Sequence, residues 1–204
     1  MTRFLILVAL LLCAASPALA QTKGRVSVGG SVVFAKPTDS EVNPVLGGGL
    51  LVRLNPRKGW GPTAAFNWFT ADIDNPSGRT DSFARLQVRP LMAGIAYTAG
   101  NQPLLVSFSI AAGPSFNKLS LEDDFLRTLP AGATADVDVE TSFAIRPGVG
   151  LTFTVAPRVA IVGFGGFVMN RPDLVYRDAS GQEFRNRWKA DAAVLSVGAV
   201  YSLF

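Results

Sequence analysis

Apolar and polar side chains alternate along eight segments of the chain, each bounded by clusters of Gly, Pro, Asn and Asp. In the fifth segment, for example, Leu104, Val106 and Phe108 alternate with Ser107 and Ser109. A two-residue period is typical of a β-strand whose two faces meet different surroundings. The pattern predicts strands at 25–35, 45–55, 60–72, 83–98, 103–118, 139–156, 158–170 and 189–204. These strands are longer than the roughly 5–6 residues usual in soluble proteins and satisfy the roughly 9–11 residues that a tilted strand needs to cross a bilayer.

The links between these segments alternate in length. Short turns are predicted at 56–59, 100–102 and 157, and long links at 36–43, 73–82, 119–138 and 171–188. Strict alternation of long and short links is the layout of an up-and-down barrel with both termini at the short-turn end. We therefore predict an all-β fold, an eight-stranded antiparallel up-and-down transmembrane β-barrel.

The two faces of the strands differ in chemistry. One face is apolar, and the other carries mainly Ser, Gly, Thr and Ala. A soluble lipocalin-like barrel would turn the apolar face inward around a ligand and would need many Lys and Glu side chains outside. Small residues suit the crowded interior of a narrow membrane barrel better. We therefore place the apolar face against lipid and keep the soluble ligand-binding barrel as an alternative.

Two segments have a less regular pattern. Arg85, Gln87 and Arg89 share one face of the fourth segment, but beyond Pro90 the apolar positions change phase to that of Leu91. We expect a β-bulge at Pro90 to account for the change. The segment 158–170 is apolar on both faces, so periodicity does not predict its register.

The first twenty residues have the composition of a secretory signal peptide. A basic start and an apolar stretch precede Ala18, Leu19 and Ala20, which form a small-residue cleavage motif. We predict a signal peptide at 1–20 and one barrel domain at 21–204. Lipidation of Cys13 is disfavoured, because the bulky Leu12 precedes it. The mature chain then has no cysteine.

The composition excludes several kinds of chemistry. The chain has no histidine, which rules out a Ser-His-Asp triad and His-ligated zinc. Clustered acids at 122–124, Asp136 and Asp138 lack the regular spacing of a cation site. The pI near 9.6 would suggest nucleic acid, but predicted export and the amphipathic strands argue against that partner. We predict no catalytic residues, no cofactor and no metal.

The chain ends in VGAVYSLF, an amphipathic strand closed by Phe204. This ending resembles the assembly signal of outer-membrane barrels, although Ser202 stands where that signal usually has another aromatic residue. With the predicted signal peptide and eight strands, the mature chain resembles the small eight-stranded outer-membrane β-barrel proteins of Gram-negative-type bacteria along its whole length. The resemblance implies location in the bacterial outer membrane, insertion by the barrel-assembly machinery, and contact with lipid and lipopolysaccharide. We expect a monomer, since a closed barrel has no free strand edge.

Charged and amide side chains are predicted to point into the lumen. They are Arg25, Arg53, Arg85, Gln87, Arg89, Glu140 and Arg146. A charge buried in so narrow a barrel must be paired or hydrated. The set would form either a basic constriction that favours anions or an internal salt-bridge network that includes Glu140. We favour the network, because an eight-stranded interior is only just wide enough for side chains.

Other candidate contacts lie outside the lumen. Basic residues that could bind lipopolysaccharide phosphates cluster around the fourth long link: Arg171, Arg177, Arg185, Arg187 and Lys189. A solvated surface explains them equally well. Trp60 and Trp68 are predicted to lie about 20 Å apart in height on the lipid face. Together with Tyr201 they are predicted anchors at the membrane interfaces.

The preferred functional hypothesis is a structural or surface-interaction role for a barrel whose lumen is mostly filled by side chains. The alternative is a narrow pore for small solutes, or a conduit with a side exit for small apolar molecules. Occupancy of the lumen distinguishes the two hypotheses.

Overall fold

The computed structural model describes residues 25–39, 42–55, 58–74, 82–121, 136–177 and 183–203. The predicted signal peptide at 1–20, the acidic residues 122–124 and Phe204 lie outside the described residues. Within the described ranges, no helix is long and apolar enough to cross a membrane.

Eight antiparallel strands close into a barrel by pairing the first strand with the last. Ser27 lies opposite Ser202 at one end of this closing pair, and Pro37 lies opposite Ala192 at the other. The barrel strands are β1 (Arg25–Pro37), β2 (Val45–Asn55), β3 (Gly59–Asp74), β4 (Ser82–Asn101), β5 (Leu104–Leu121), β7 (Ser142–Ala156), β8 (Val159–Asn170) and β11 (Ala192–Ser202). Each of them pairs with its neighbours along the chain, so the prediction of an eight-stranded up-and-down barrel is confirmed.

Three short strands form a separate sheet outside the barrel. They are β6 (Asp136–Val139), β9 (Asp173–Arg177) and β10 (Glu183–Arg187), in the order β10-β9-β6. The predicted strand at 139–156 is therefore divided between β6 and β7, and the last strand begins at Ala192 instead of at 189. Runs of four or five residues are too short to show alternation, and their pairing joins two distant links, so local pattern did not predict them.

We call the end of the barrel with the short turns its turn end, and the opposite end its loop end. Between these ends the exterior is apolar, as the 61% exposure of Val32, 67% of Trp60 and 70% of Leu46 indicates. Inward positions such as Asn67 and Ser107 are polar and buried. This is the arrangement of a membrane barrel. The alternative of a soluble lipocalin-like ligand-binding barrel, which needs a polar exterior, is therefore wrong.

β4 alternates without interruption through Pro90, so the β-bulge predicted there is wrong. Its register with β3 is the same on both sides of Pro90, and the register shift lies at Ile73 and Asp74 instead. Leu86 and Val88 are buried inside the barrel. The change of phase read from the sequence therefore reflects a change of surroundings along one regular strand.

The two faces of the barrel wall exchange chemistry near the loop end. Inward apolar residues form one cluster there, including Phe69, Leu86, Val88, Leu119 and Val168. The outward positions of the same strands become polar and exposed: Lys36, Thr70, Asp72, Arg85, Arg89, Lys118 and Ser120. The interior is thus polar toward the turn end and apolar toward the loop end. In β8, whose register was not predicted, Phe164 and Val168 face the interior.

Candidate functional site

The barrel interior contains two chambers that lie one above the other. On β1, Ser31 lines the chamber nearer the turn end and Ala35 lines the chamber nearer the loop end, with Val33 between them. Met92 has the same intermediate position on β4, and Val194 has it on β11. These three side chains, which we call the septum, are 1–3% exposed and belong to one packed cluster. The septum therefore separates the two chambers.

The lower space, the polar chamber, is lined mainly by hydroxyls, small residues and two arginines. Its cavity volume is about 70 Å³. Its polar lining comprises Ser31, Arg53, Thr63, Asn67, Ser107, Ser109, Arg146, Thr152 and Ser196. Some hydroxyls make long bonds to the wall, such as that from Ser107 Oγ to the carbonyl oxygen of Gly150 at 3.4 Å. The chamber is thus lined by polar groups, several of which donate to the wall.

The two arginines of the polar chamber are held in different ways. Arg53 donates from Nη2 to Thr98 Oγ1 at 3.0 Å. The guanidinium carbon of Arg146 lies 4.7 Å from the centre of the Phe164 ring, in cation–π contact. Its Nε is buried without a hydrogen-bond partner. Phe164 can lie flat against the wall because Gly148 is opposite it, where a Cβ would collide with the ring.

The upper space, the apolar chamber, is lined mostly by aliphatic and aromatic side chains. Its cavity volume is about 40 Å³. Its apolar lining comprises Ala35, Pro37, Val42, Val45, Phe69, Ala71, Leu86, Val88, Pro90, Val168, Pro172, Trp188, Ala190 and Ala192. The polar residues in its wall are Ser115, Asn117 and Asn170. An apolar lining with a few placed polar groups is typical of a site for a small organic molecule.

The polar residues of the apolar chamber bond to one another. Ser142 Oγ donates to Asn170 Oδ1, and Asn117 Nδ2 donates to Ser142 Oγ at 3.0 Å. Ser115 Oγ donates to Asn117 Oδ1 at 2.9 Å. The backbone N–H of Asn170 donates to the buried carboxylate of Asp191 at 3.0 Å. Because these groups satisfy each other, this wall of the chamber is held rigidly in place.

The chain between β10 and β11 covers one side of the apolar chamber. Trp188 donates from its backbone N–H to the Pro172 carbonyl and from Nε1 to Asp39 Oδ2, each at 2.9 Å. Thr38 donates its N–H to the Asp191 carbonyl oxygen at 2.8 Å. Trp188 is thus tied to two different links above the barrel. Its indole ring forms part of the chamber roof.

Several residues predicted to point into the lumen lie elsewhere. Arg85 is outside the barrel, where its Nε lies 3.1 Å from Asp72 Oδ1. Arg89 is also outside, and its Nη2 donates to Gln87 Oε1 at 2.6 Å. Glu140 lies between β6 and β7, and its Oε1 is 3.1 Å from Nη1 of Arg185.

The lumen prediction failed for these four residues because they lie near or beyond the loop end, where polar side chains face outward. The side chain of Arg25 is outside the described residues. Only Arg53 and Arg146 of the predicted lumen set are placed in the polar chamber, and neither forms an ion pair with a described carboxylate. The favoured salt-bridge network is therefore wrong for these two arginines.

The remaining predicted contact residues are distributed over the outer surface. Arg171, Arg185, Arg187 and Lys189 are exposed, and Arg187 Nε lies 3.3 Å from Asp173 Oδ1. The Arg177 side chain is outside the described residues. Among the residues that the structure describes, no group of three or more acidic or Cys side chains could hold a metal ion.

The predicted interface anchors lie on the barrel exterior. Trp60 packs edge-on against Tyr97, with ring centres 5.3 Å apart. Trp68 packs against Phe66 at 5.9 Å. Tyr201 accepts a hydrogen bond from Arg158 Nη1 at 3.4 Å, which raises the pKa of this turn-end arginine. All three side chains are therefore exposed on the outer surface of the barrel.

Sequence reasoning missed the apolar chamber. Its signal was present as a second set of apolar residues, including Phe69, Leu86, Val88 and Leu119, in the opposite phase to the lipid-facing set. In β4 this set was interpreted as a register change, because a single inside-to-outside polarity was assumed for the whole strand.

Comparison with known proteins agrees with the fold. The family model for the outer membrane protein beta-barrel domain matches residues 5–202. The crystal structure of OprG from Pseudomonas aeruginosa is similar with a TM-score of 0.73 at 12% identity, covering 89% of this chain and 97% of that chain. The major outer membrane protein from Thermus thermophilus gives 0.62 at 16% identity, covering 89% and 100%. Escherichia coli outer membrane protein W gives 0.58 at 14%, covering 90% and 100%.

A search of the curated proteins found no match to the sequence. The family match extends over nearly the whole chain and agrees with the closed barrel, its apolar exterior and the predicted location. The chain belongs to the outer membrane protein beta-barrel domain family.

Proposed function

We propose that this outer-membrane barrel takes up a small apolar molecule in the apolar chamber and releases it sideways toward the membrane. The observation that carries the proposal is an apolar cavity at the loop end, above a septum that closes the bore. The hydrophobic effect favours transfer of an apolar molecule from water into such a cavity. A structural or surface-interaction role without a small-molecule cargo is the second candidate.

The septum argues against passage along the barrel axis. Val33, Met92 and Val194 are almost fully buried, and the chamber below them is polar and carries two arginines. An apolar molecule would have to part the septum and then enter a space that disfavours it. A lateral exit avoids both barriers.

The barrel wall beside the chamber has an interrupted ladder at Pro90. β3 pairs with β4 up to Phe66, which lies opposite Leu91, and again from Phe69, which lies opposite Val88. Between these two points, Asn67 and Trp68 have no ladder partner on β4. Pro90 lines the chamber and has no N–H to donate. Separation of β3 from β4 at this level would break few ladder hydrogen bonds, so we place the exit there.

Quenching of single-tryptophan variants by a brominated alkane tests the proposal. Trp188 lines the apolar chamber, whereas Trp68 faces outward. In W60F/W68F protein refolded in lipid vesicles, 1-bromooctane should quench Trp188 with a saturable component. In W60F/W188F protein, the same reagent should quench Trp68 in simple proportion to its concentration in the lipid.

A variant that fills the chamber provides the control. Ala192 is buried in the chamber wall, and Ala192→Phe should remove the saturable component while leaving quenching of Trp68 unchanged. Identical, non-saturating quenching of both tryptophans would contradict uptake and favour the surface-interaction role.

We propose a cleaved signal peptide at 1–20, assembly guided by Phe204, a monomeric state and no catalytic activity. Exposed Arg171, Arg185 and Lys189 support contact with lipopolysaccharide phosphates. Loss of binding to lipopolysaccharide-coated beads by a variant with these three changed to Gln would support that contact, and unchanged binding would contradict it.

A further inference from the structure

We propose that the polar chamber is a binding site for a small monovalent anion, held between Arg53 and Arg146. The proposal rests on the polar chamber alone and is independent of the function proposed for the apolar chamber.

The described residues do not compensate the charge of the two arginines. Arg53 and Arg146 bring two positive charges into the membrane-embedded half of the barrel, and no described carboxylate forms an ion pair with either one. The described ion pairs of other arginines, Arg85, Arg185 and Arg187, all lie outside the lumen. Buried charges in proteins are normally paired or bound to a counter-ion. A diffusible anion can supply the counter-charge that the described part of the chain does not.

Arg53 and Arg146 carry donors that the described residues do not satisfy. The buried Nε–H of Arg146 has no acceptor among those residues, and its neighbour Phe164 offers only a ring face. Thr98 is the hydrogen-bond acceptor of Arg53 and satisfies only one of its five N–H groups. An unsatisfied buried donor is expensive. An anion accepts several such bonds at once, whereas a water molecule supplies no charge.

Both arginines line the polar chamber. Arg53 lies two residues from the turn end of β2, and Arg146 lies four residues from the loop end of β7. The two guanidinium groups therefore enter the polar chamber from different depths. Thr63, Ser107 and Ser109 also line the chamber, but their hydroxyls donate to wall carbonyl oxygens at 3.4–3.5 Å, so the two arginines are the main donors for the anion. The septum blocks the chamber on the loop side, so the anion exchanges with the turn side.

A cavity volume of about 70 Å³ restricts the ligand to a halide or a short carboxylate. Two positive charges and one bound monovalent anion leave a net charge of +1, which the hydroxyls and water of the chamber can solvate. Chloride and formate are the probes that this chemistry specifies.

Chloride-35 NMR of the full chain refolded in a nonionic maltoside detergent tests the site directly. Chloride exchanging with a protein site broadens the bulk chloride resonance in proportion to the number of occupied sites. Wild-type protein should broaden the line, and formate should reverse the broadening by competition. Arg146→Met should weaken the affinity about tenfold or more, because it removes a charge-assisted hydrogen bond.

Three variants make the result specific. Arg89→Met removes an exposed arginine of equal charge on the outer face of the barrel and should leave the broadening unchanged. Arg53→Met should weaken it as Arg146→Met does, which keeps the test valid if one variant does not fold. Arg146→Lys keeps the charge and should restore part of the affinity. Folding of each variant is checked by its mobility on unboiled gels.

Two results would overturn the proposal. Broadening by wild-type protein that equals that of both chamber variants would place chloride elsewhere on the molecule. Absence of formate-sensitive broadening in correctly folded wild-type protein would show that water alone solvates the two arginines. In either case the apolar chamber and its proposed role would be unaffected.

Discussion

Replacing Met92 by Ala tests whether the septum is a packed layer. Met92 is 1% exposed and lies between the two chambers in the same cluster as Val33 and Val194. The substitution removes every side-chain atom beyond Cβ. The surrounding strands are fixed by their ladders, so the space can collapse only in part.

The expected loss of stability follows from the burial of Met92. Truncation of a buried Met to Ala destabilises a protein by about 2–5 kcal/mol, since a cavity term adds to the lost transfer free energy. Free space already exists above and below Met92, so the truncation removes mainly the packing of its side chain against the residues around the bore. We therefore expect a loss in the lower half of the range, about 2–3 kcal/mol.

Equilibrium urea unfolding in lipid vesicles measures this loss, and Leu91→Ala provides the matched control. Leu91 is the preceding residue of β4, points outward and is 48% exposed. Its truncation loses transfer free energy but leaves no enclosed cavity, because lipid fills the space. Leu is also more hydrophobic than Met, which makes the comparison conservative. Met92→Ala should therefore be the less stable of the two variants.

A smaller loss of stability for Met92→Ala than for Leu91→Ala would refute the reasoning. It would mean that the bore is not packed at this level and that the two chambers are continuous. The proposed sideways release would then lose its main support, since an axial path would be open.

Inserted wild-type protein should give no steady current steps in a planar bilayer, because the septum closes the bore; reproducible steps would contradict this. Arg85→Gln should change the free energy of unfolding in urea by less than about 1 kcal/mol, because the ion pair of Arg85 is half exposed. A loss of several kcal/mol would indicate that Arg85 is buried in the lumen instead. Gly113→Ala should destabilise the barrel by about 1–3 kcal/mol, because a Cβ there would collide with backbone atoms of the adjacent strand. Gly30→Ala places its Cβ at ordinary contact distances and should be nearly neutral in the same urea assay. Asp191→Ala should cost about 1–3 kcal/mol by leaving the buried Asn170 N–H without its acceptor, and a neutral result would show that water replaces the carboxylate.

The barrel itself was predictable because its signal is local and repeated. Each strand shows its own alternation, and the alternation of short turns with long links fixes the order of neighbours. The bounds of β2 were predicted without error, and most others within three residues. The small sheet of β6, β9 and β10 was missed, since its stability comes from pairing between two links that are far apart in sequence.

The site was less predictable, because the meaning of a polar side chain depends on its height in the barrel. Arg53 and Arg89 both lie on strands and have the same chemistry. Arg53 is inside because its part of the barrel is surrounded by lipid, whereas Arg89 is outside because its part is surrounded by water. Two-residue periodicity distinguishes the two faces of a strand but not the medium outside it. Glu140 was assigned to the lumen for the same reason.

The length of β4 determines how far from the bilayer an apolar solute can leave water. Its 20 residues, at about 3.3 Å each and a tilt near 40°, span about 50 Å of height. The apolar band of an outer-membrane barrel is only about 25 Å tall. About half of β4 therefore projects past the lipid, and it carries Leu86 and Val88 inside and Arg85 and Arg89 outside.

This upper half is organised like a water-soluble barrel built on top of a membrane barrel by the same continuous strands. An apolar molecule would be desolvated there at a distance from the bilayer, on the far side of the charged lipid headgroups. The apolar chamber thus offers an apolar environment outside the headgroup layer, for molecules small enough to fit it.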